Sequence, residues 1–129
     1  MKKGLRKAKW RPLTARLYDK AWALMSEIVR RVSKGICFTC DTRGRWEDMD
    51  CGHFVHGRKD LDKKWYRGQC KRCNNWLGGN LGIYATKLIE CYGLQEVKEY
   101  QKYHPPIKWK VAELQAIIAK YQKLISEIP

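Results

Sequence analysis

No apolar run in the 129-residue sequence approaches the ~20 residues that a membrane-spanning helix needs, which excludes a helical membrane span. Acidic residues are also scarce. Thirteen Asp and Glu stand against 27 Lys and Arg, giving a net charge of +14 and a pI of about 9.7. Such an excess implies a polyanionic partner, and without a spanning segment nucleic acid suits it better than an acidic membrane face. Behind the basic start "MKKGLRKAKWR" there is neither an apolar block nor a small-residue cleavage site, so no signal peptide is expected and the protein should stay in the cytosol. Internal repeats and low-complexity linkers are absent too. This length allows one modest domain, or a small domain with helical additions, but not two full cores.

The positive charge is unevenly spread. Residues 1–36 hold eleven Lys and Arg against Asp19 and Glu27, a local surplus of nine. A basic arm over residues 1–12, with Lys2, Lys3, Arg6, Lys7, Lys9 and Arg11, is the expected electrostatic footprint on nucleic acid. A tail that only aids solubility would show the same charge. Trp10, able to stack or to pack, favours contact.

Hydrophobic spacing predicts helix at both ends and something irregular between them. From Thr14 to Ser33, Leu17, Ala21, Leu24, Met25, Ile28, Val29 and Val32 recur at three and four, with Pro12 and Thr14 as start signals and Gly35 as a stop. Residues 36–79 carry six glycines, two cysteine pairs and few apolar runs, which suits short strands and tight turns. That segment cannot hold itself together by burial. Asn80 is placed to cap "LGIYATKLIECY", closed by Gly93; "LQEVKEYQKYH" follows, broken by Pro105-Pro106; and a last helix runs from about Ile107 to Ile128. In it Ile107, Val111, Leu114, Ile118, Tyr121, Ile125 and Ile128 form a heptad seam. The seam fits a second protomer or the N-terminal helix of the same chain.

The most specific signal is the cysteine spacing. Cys37-x-x-Cys40 and Cys70-x-x-Cys73 are two knuckles 29 residues apart, each with the bite that tetrahedral zinc requires. Four thiolates close the shell, so the zinc would be structural and would supply folding free energy to a polar segment. Disulfides fit a reducing compartment poorly, and the βαβ context of a redox pair is missing. Cys51 and Cys91 are left over as buried or free thiols, with Cys51 a further candidate ligand beside His53.

Inside the zinc loop lies "DCGHFVHGR". His53 is thirteen residues after Cys40 and twenty before Cys73, where a two-stranded hairpin would carry it, and Asn74 directly follows the second knuckle. A neutral imidazole can take a proton from water at cellular pH. An amide oxygen can share a hard divalent cation with water and phosphate oxygens, stabilising charge on phosphorus and on the leaving oxygen. A lone histidine is more often packed than catalytic; two zinc knuckles, a following Asn and a basic surround shift the weight toward catalysis. His56, three residues on, could assist the base, bind metal, contact phosphate or pack. Lys59, Lys63, Lys64, Arg67, Lys71 and Arg72 are candidates for phosphate contact, with Trp46, Trp65, Tyr66 and Trp76 interleaved as packing or stacking groups.

Cys37-x-x-Cys40, then Gly52-His53, then Cys70-x-x-Cys73-Asn74 resembles the HNH, or His-Me finger, endonucleases, and within them is similar to phage endonuclease VII, the Holliday-junction resolvase. A closer resemblance, carried by "GHF", "HGR" and "CNNWLGGN", is to the lambdoid-phage NinG (Rap) recombination nucleases. The likeness runs from about Gly35 to Gly93. It implies a phage-encoded protein working in the bacterial host cytoplasm as a structure-selective DNA endonuclease on Holliday junctions or D-loops. His53 would be the general base, Asn74 the ligand of Mg2+ or Mn2+, Arg58 a phosphate clamp, and Asp50 a supporting or remote ligand. Two positions depart from the pattern. Endonuclease VII has a metal-binding aspartate where this chain has Gly52, and the middle Asn of HNH enzymes is unfilled, with Trp65 or Arg67 near its place. The non-specific DNA/RNA nucleases offer a precedent for the first: their Asp-Arg-Gly-His is similar to Asp50-Cys51-Gly52-His53.

The expected fold is therefore α+β, a small zinc-braced ββα-metal core in residues 13–93 with helical flanks, and a helical extension over 94–129. A resolvase cuts two strands, so a homodimer is expected, with the heptad seam as a place to make it. Neither a membrane nor a small-molecule substrate is expected as partner. The alternatives are a non-catalytic zinc-ribbon DNA-binding module and an HNH nuclease acting on linear duplex.

Overall fold

A computed structural model describes residues 10–129. Of the basic arm, Lys2, Lys3, Arg6, Lys7 and Lys9 lie outside the described residues. The first helix, α1 (Leu13–Ser33), matches its apolar spacing: Ala21, Met25, Ile28 and Val29 are buried, while Val32, at the end of the stripe, is exposed. Pro12 occupies the N-cap without a side-chain cap, so Thr14 does not act as one. Arg30 and Arg31 in the last turn complement the helix dipole. The chain then turns through left-handed Lys34 and Gly35; a Cβ on Gly35 would stand 1.8 Å from the Gly44 carbonyl oxygen. Only glycine fits that crossing.

Two four-residue strands, β1 (Asp50–His53) and β2 (Tyr66–Gln69), pair antiparallel with Asp50 opposite Gln69 and His53 opposite Tyr66. Strand alternation puts Cys51, His53, Tyr66 and Gly68 on one face and Asp50, Gly52, Arg67 and Gln69 on the other. The first face meets α1, as Trp22 lies 4.8 Å from His53 between ring centroids and a Cβ on Gly68 would press on Ser33. A π-helical turn (Arg72–Trp76) leads into α2 (Leu81–Tyr92), then come α3 (Leu94–Gln101) and α4 (Val111–Glu127). The last two are shorter than their sequence pattern. Residues 103–110 form no regular element, and Pro105-Pro106 among them cannot continue a helix.

The mixed helix-and-sheet class agrees with the expectation. One core cluster joins Met25, Ile28 and Val29 of α1 to Tyr66, Tyr84, Leu88, Val97 and Tyr121; a second joins Ala21 to Leu61, Leu114 and Ile118. Each such apolar side chain contributes about 1.5–3 kcal/mol through burial. Leu114, Ile118 and Tyr121 are the centre of the heptad seam. That centre is therefore covered by α1 of the same chain, one of the two surfaces its spacing fits.

Candidate functional site

Four cysteines converge as their spacing required. In the first knuckle Ile36 pairs with Arg43, and the Cys37 N–H donates to the Thr42 carbonyl over 2.9 Å. In the second, the Asn74 N–H donates to the Cys70 carbonyl over 3.0 Å. The sulfurs of Cys37, Cys40, Cys70 and Cys73 lie within 4.8 Å of one another, and Cys40 and Cys70 approach to 3.7 Å. Zn–S bonds of about 2.3 Å give a tetrahedron with edges near 3.8 Å, so this donor set fits zinc. Polar groups surround it. The Thr39 hydroxyl is 3.5 Å from the Cys37 sulfur, the Cys73 N–H donates to the Cys70 sulfur over 3.5 Å, and the Asn80 amide donates to the Cys73 sulfur over 3.8 Å. As thiols the four diverge. Burial pushes Cys37 up, but hydrogen bonds from Thr39 and nearby backbone N–H groups outweigh it and bring it to about 6, whereas burial pushes Cys70 up to about 12. Four thiolates this close require a cation between them.

Two neighbours differ in outcome. Cys51 is the buried thiol expected of it and not the further ligand: it points to the α1 face, and burial pushes its thiol up to about 12. Asn80 stands before α2 in a left-handed conformation and makes no side-chain cap bond, because its amide donates to the Cys73 sulfur.

Beside the second knuckle, the Asn74 amide nitrogen donates to Asp50 Oδ2 over 3.0 Å, and Lys71 pairs with Asp50 Oδ1. The Asn74 amide oxygen accepts no hydrogen bond among the described residues. Strand β1 thus brings Asp50 to Asn74, which were 24 residues apart in sequence. Gly52 lies on the same face, and the wholly buried Gln69 side chain fills the space above it. Gln69 Nε2 donates to the Thr39 hydroxyl (3.1 Å) and the Gly79 carbonyl (2.8 Å), while its Oε1 has no partner. Neither Gln69 nor Thr39 stands out in the sequence beyond adjacency to a zinc cysteine.

His53 ends β1, about 10 Å along the strand from Asp50 and on the opposite face. Trp22 and Tyr66 flank its ring, and His56 stacks nearly parallel to it at 5.9 Å. Burial holds the His53 pKa below its ordinary value, the neighbouring His56 adds to this, and Asp60 opposes it. His53 is therefore neutral near pH 7 and can accept a proton. Exposed His56 reaches past it: its Nε2 lies 3.6 Å from where a Cβ on Gly79 would stand, beside the carbonyl that Gln69 holds. The structure thus joins His53 to His56 and Asp50 to Asn74, with Gly79 and Gln69 between the two pairs.

Several predicted phosphate contacts have other partners. The Arg58 guanidinium donates to the carbonyls of Tyr100 (2.5 Å) and Lys102 (2.8 Å) and lies over the Tyr100 ring, so it straps the end of α3. Arg67 donates to the Lys64 and Tyr66 carbonyls and to the Tyr92 hydroxyl, and Trp65 is buried against Tyr100; neither stands in for a middle Asn. Lys64 pairs with Glu96, and Arg11 with Asp19. Lys59, Lys63 and Arg72 are exposed and form no ion pair among the described residues. The loop after His56 is bolted down by distant elements: Trp109 donates to the Lys59 carbonyl, Tyr121 to the Leu61 carbonyl, and Tyr66 and Tyr100 to Asp60. No helix among the described residues is long and apolar enough to cross a membrane.

The family described as Bacteriophage Lambda NinG protein matches residues 2–129. Among curated relatives, Protein ninG of Escherichia phage 933W is 32% identical, that of Salmonella phage P22 31% and that of Escherichia phage lambda 29%. Each match covers 98 residues, 71% of this chain and 47% of the relative, so the chain spans about half the length of the curated relatives it matches. No solved structure matches.

Proposed function

The chain belongs to the phage lambda NinG family, and from that premise we propose that it is a metal-dependent endonuclease that cuts branched DNA such as Holliday junctions and D-loops. The observation that carries this reading is the hydrogen bond from Asn74 to Asp50, one residue beyond the zinc cluster. It commits the amide nitrogen and leaves the amide oxygen as a donor for a hard cation. Two strands followed by a helix, pinned by four cysteines, supply the frame. Mg2+ or Mn2+ held by Asn74 and water would stabilise charge on the phosphoryl oxygens and the leaving 3′-oxygen.

The chain's own groups have separable tasks. His53, neutral because of burial, takes the proton of the attacking water at a ring nitrogen. His56, stacked on it and exposed, contacts the phosphate, and its charge when protonated disfavours a second charge on His53. Asp50 orients Asn74, and Lys71 holds Asp50 while lending positive charge. Exposed Lys59, Lys63 and Arg72 anchor neighbouring phosphates.

One observation favours the non-catalytic zinc module instead: His53 is enclosed by Trp22 and Tyr66, and no carboxylate hydrogen-bonds its ring among the described residues. Cleavage of a synthetic four-way junction, a flap and a plain duplex with Mg2+ or Mn2+, by wild type and His53→Ala, decides the matter. The proposal expects junction cleavage that His53→Ala loses while zinc and DNA binding persist. Cleavage that survives the substitution, or a wild type inert with every divalent ion, overturns it, and equal cutting of the duplex points to linear DNA.

A further inference from the structure

Trp76 is 88% exposed, the most exposed large apolar side chain among the described residues. It does not sit on a loose loop. It ends the π-helical turn that contains Cys73 and Asn74, and that turn is closed by the Leu77 N–H on the Arg72 carbonyl (3.0 Å) and the Gly79 N–H on the Cys73 carbonyl (2.9 Å). The indole is thus carried on a rigid mount tied to the zinc cysteines, two residues from Asn74. Leu77, which follows it, is also exposed, and Arg72 and Lys71 stand exposed at the start of the turn.

We propose that Trp76 is a wedge that stacks on an unpaired base at the branch point of DNA, placing the adjoining phosphate near Asn74. This deepens the nuclease reading and rests on it for the purpose of the wedge, though not for the stacking itself. An aromatic plane beside cations is the combination that captures unstacked bases without reading their identity. Charge decides against a second copy of the chain as the occupant. Two such faces would set Arg72, unpaired among the described residues, against its own kind in a protein of net charge +14, whereas interface cores are depleted of charge. Nucleic acid supplies the complementary sign.

The test uses a four-way junction with 2-aminopurine at the branch point, zinc-loaded protein and no added Mg2+ or Mn2+, so that no strand is cut. Wild type should change the 2-aminopurine emission, quenching it where the indole stacks on the probe itself and raising it where the probe is the neighbour that the wedge unstacks. Trp76→Ala should not, and should bind the junction about tenfold to a hundredfold more weakly while its affinity for plain duplex stays within about twofold. Trp76→Phe should keep most of the signal. Zinc content and circular dichroism verify that both variants are folded. The wedge is overturned if Trp76→Ala unstacks the branch as wild type does, if it loses duplex and junction affinity equally, or if wild type sediments as a dimer that Trp76→Ala dissociates. A wild type that unstacks the branch yet never cuts with divalent ions sinks the nuclease reading alone; one that cuts while the emission ignores residue 76 sinks the wedge alone.

Discussion

Gln69 occupies the volume that a side chain at residue 52 would need: a Cβ on Gly52 would stand 2.0 Å from Gln69 Oε1 and 2.7 Å from its Cδ. Glycine at residue 52 is therefore matched to its neighbour, because a buried amide anchored on Thr39 and Gly79 fills the space above it.

Restoring a side chain at that point should be costly. Gly52→Ala and Gly52→Asp should each lose about 1–3 kcal/mol of stability through overpacking. Combining Gly52→Ala with Gln69→Ala should lose less than the sum of the two single changes, since the clash then vanishes. Urea titrations of the four proteins measure this, and strictly additive losses would refute the crowding.

Zinc removal should collapse the middle of the chain. Structural zinc contributes about 10–16 kcal/mol in zinc-finger peptides, as much as the whole stability of a small domain. One zinc per chain is expected, lost on replacing Cys37, Cys40, Cys70 or Cys73 by Ala and kept by Cys51→Ala. A protein stripped of zinc that retains its near-ultraviolet dichroism and its thermal transition contradicts this.

The buried histidine predicts a sign for the pH dependence. His53 has a folded pKa below its ordinary 6.5, so below that pH the unfolded chain takes up the proton first. Its contribution to stability is complete above pH 6.5 and falls as the pH drops toward the folded pKa. His53→Phe, which keeps an aromatic ring between Trp22 and Tyr66, should flatten this component. Proton NMR titration of the three histidines reads it directly; a His53 midpoint at or above 6.5 would reverse the sign.

Arg58 should matter to stability before it matters to DNA. Arg58→Ala removes two charged hydrogen bonds and a cation–π contact, a loss of about 2–3 kcal/mol, and Arg58→Lys should recover less than half because one ammonium cannot fork between two carbonyls. Amide hydrogen exchange should quicken across 94–104. Unchanged exchange with weakened junction binding would return Arg58 to phosphate contact.

What the sequence revealed followed short-range rules. The two knuckles, the α1 spacing and the break at Gly93 are local patterns that appear where expected, whereas α3 stops at Gln101, before Pro105-Pro106 is reached. Reading failed where distant groups meet. Nothing in "HGR" announces that Arg58 ends on carbonyls 42 and 44 residues away, and nothing around Gln69 announces that its amide covers Gly52. Asn80 misled because the pull of the Cys73 sulfur won over the helix N-terminus. The heptad seam was real, but a spacing cannot say which apolar surface it meets, and its centre meets α1.

The bolts on the loop behind His56 set an order of assembly. Cys40 and Cys70 close a circuit of 30 residues, whereas Arg58 to Tyr100, Lys59 to Trp109 and Leu61 to Tyr121 close circuits of 42, 50 and 60. Longer closures cost more entropy before any contact rewards them. During synthesis the metal knuckle can form as soon as residue 73 is free, while the segment bearing His56 waits for residue 121. The four cysteines can thus be brought together before the loop that bears His56 is fastened, so that loop is the last part of the chain to gain its partners.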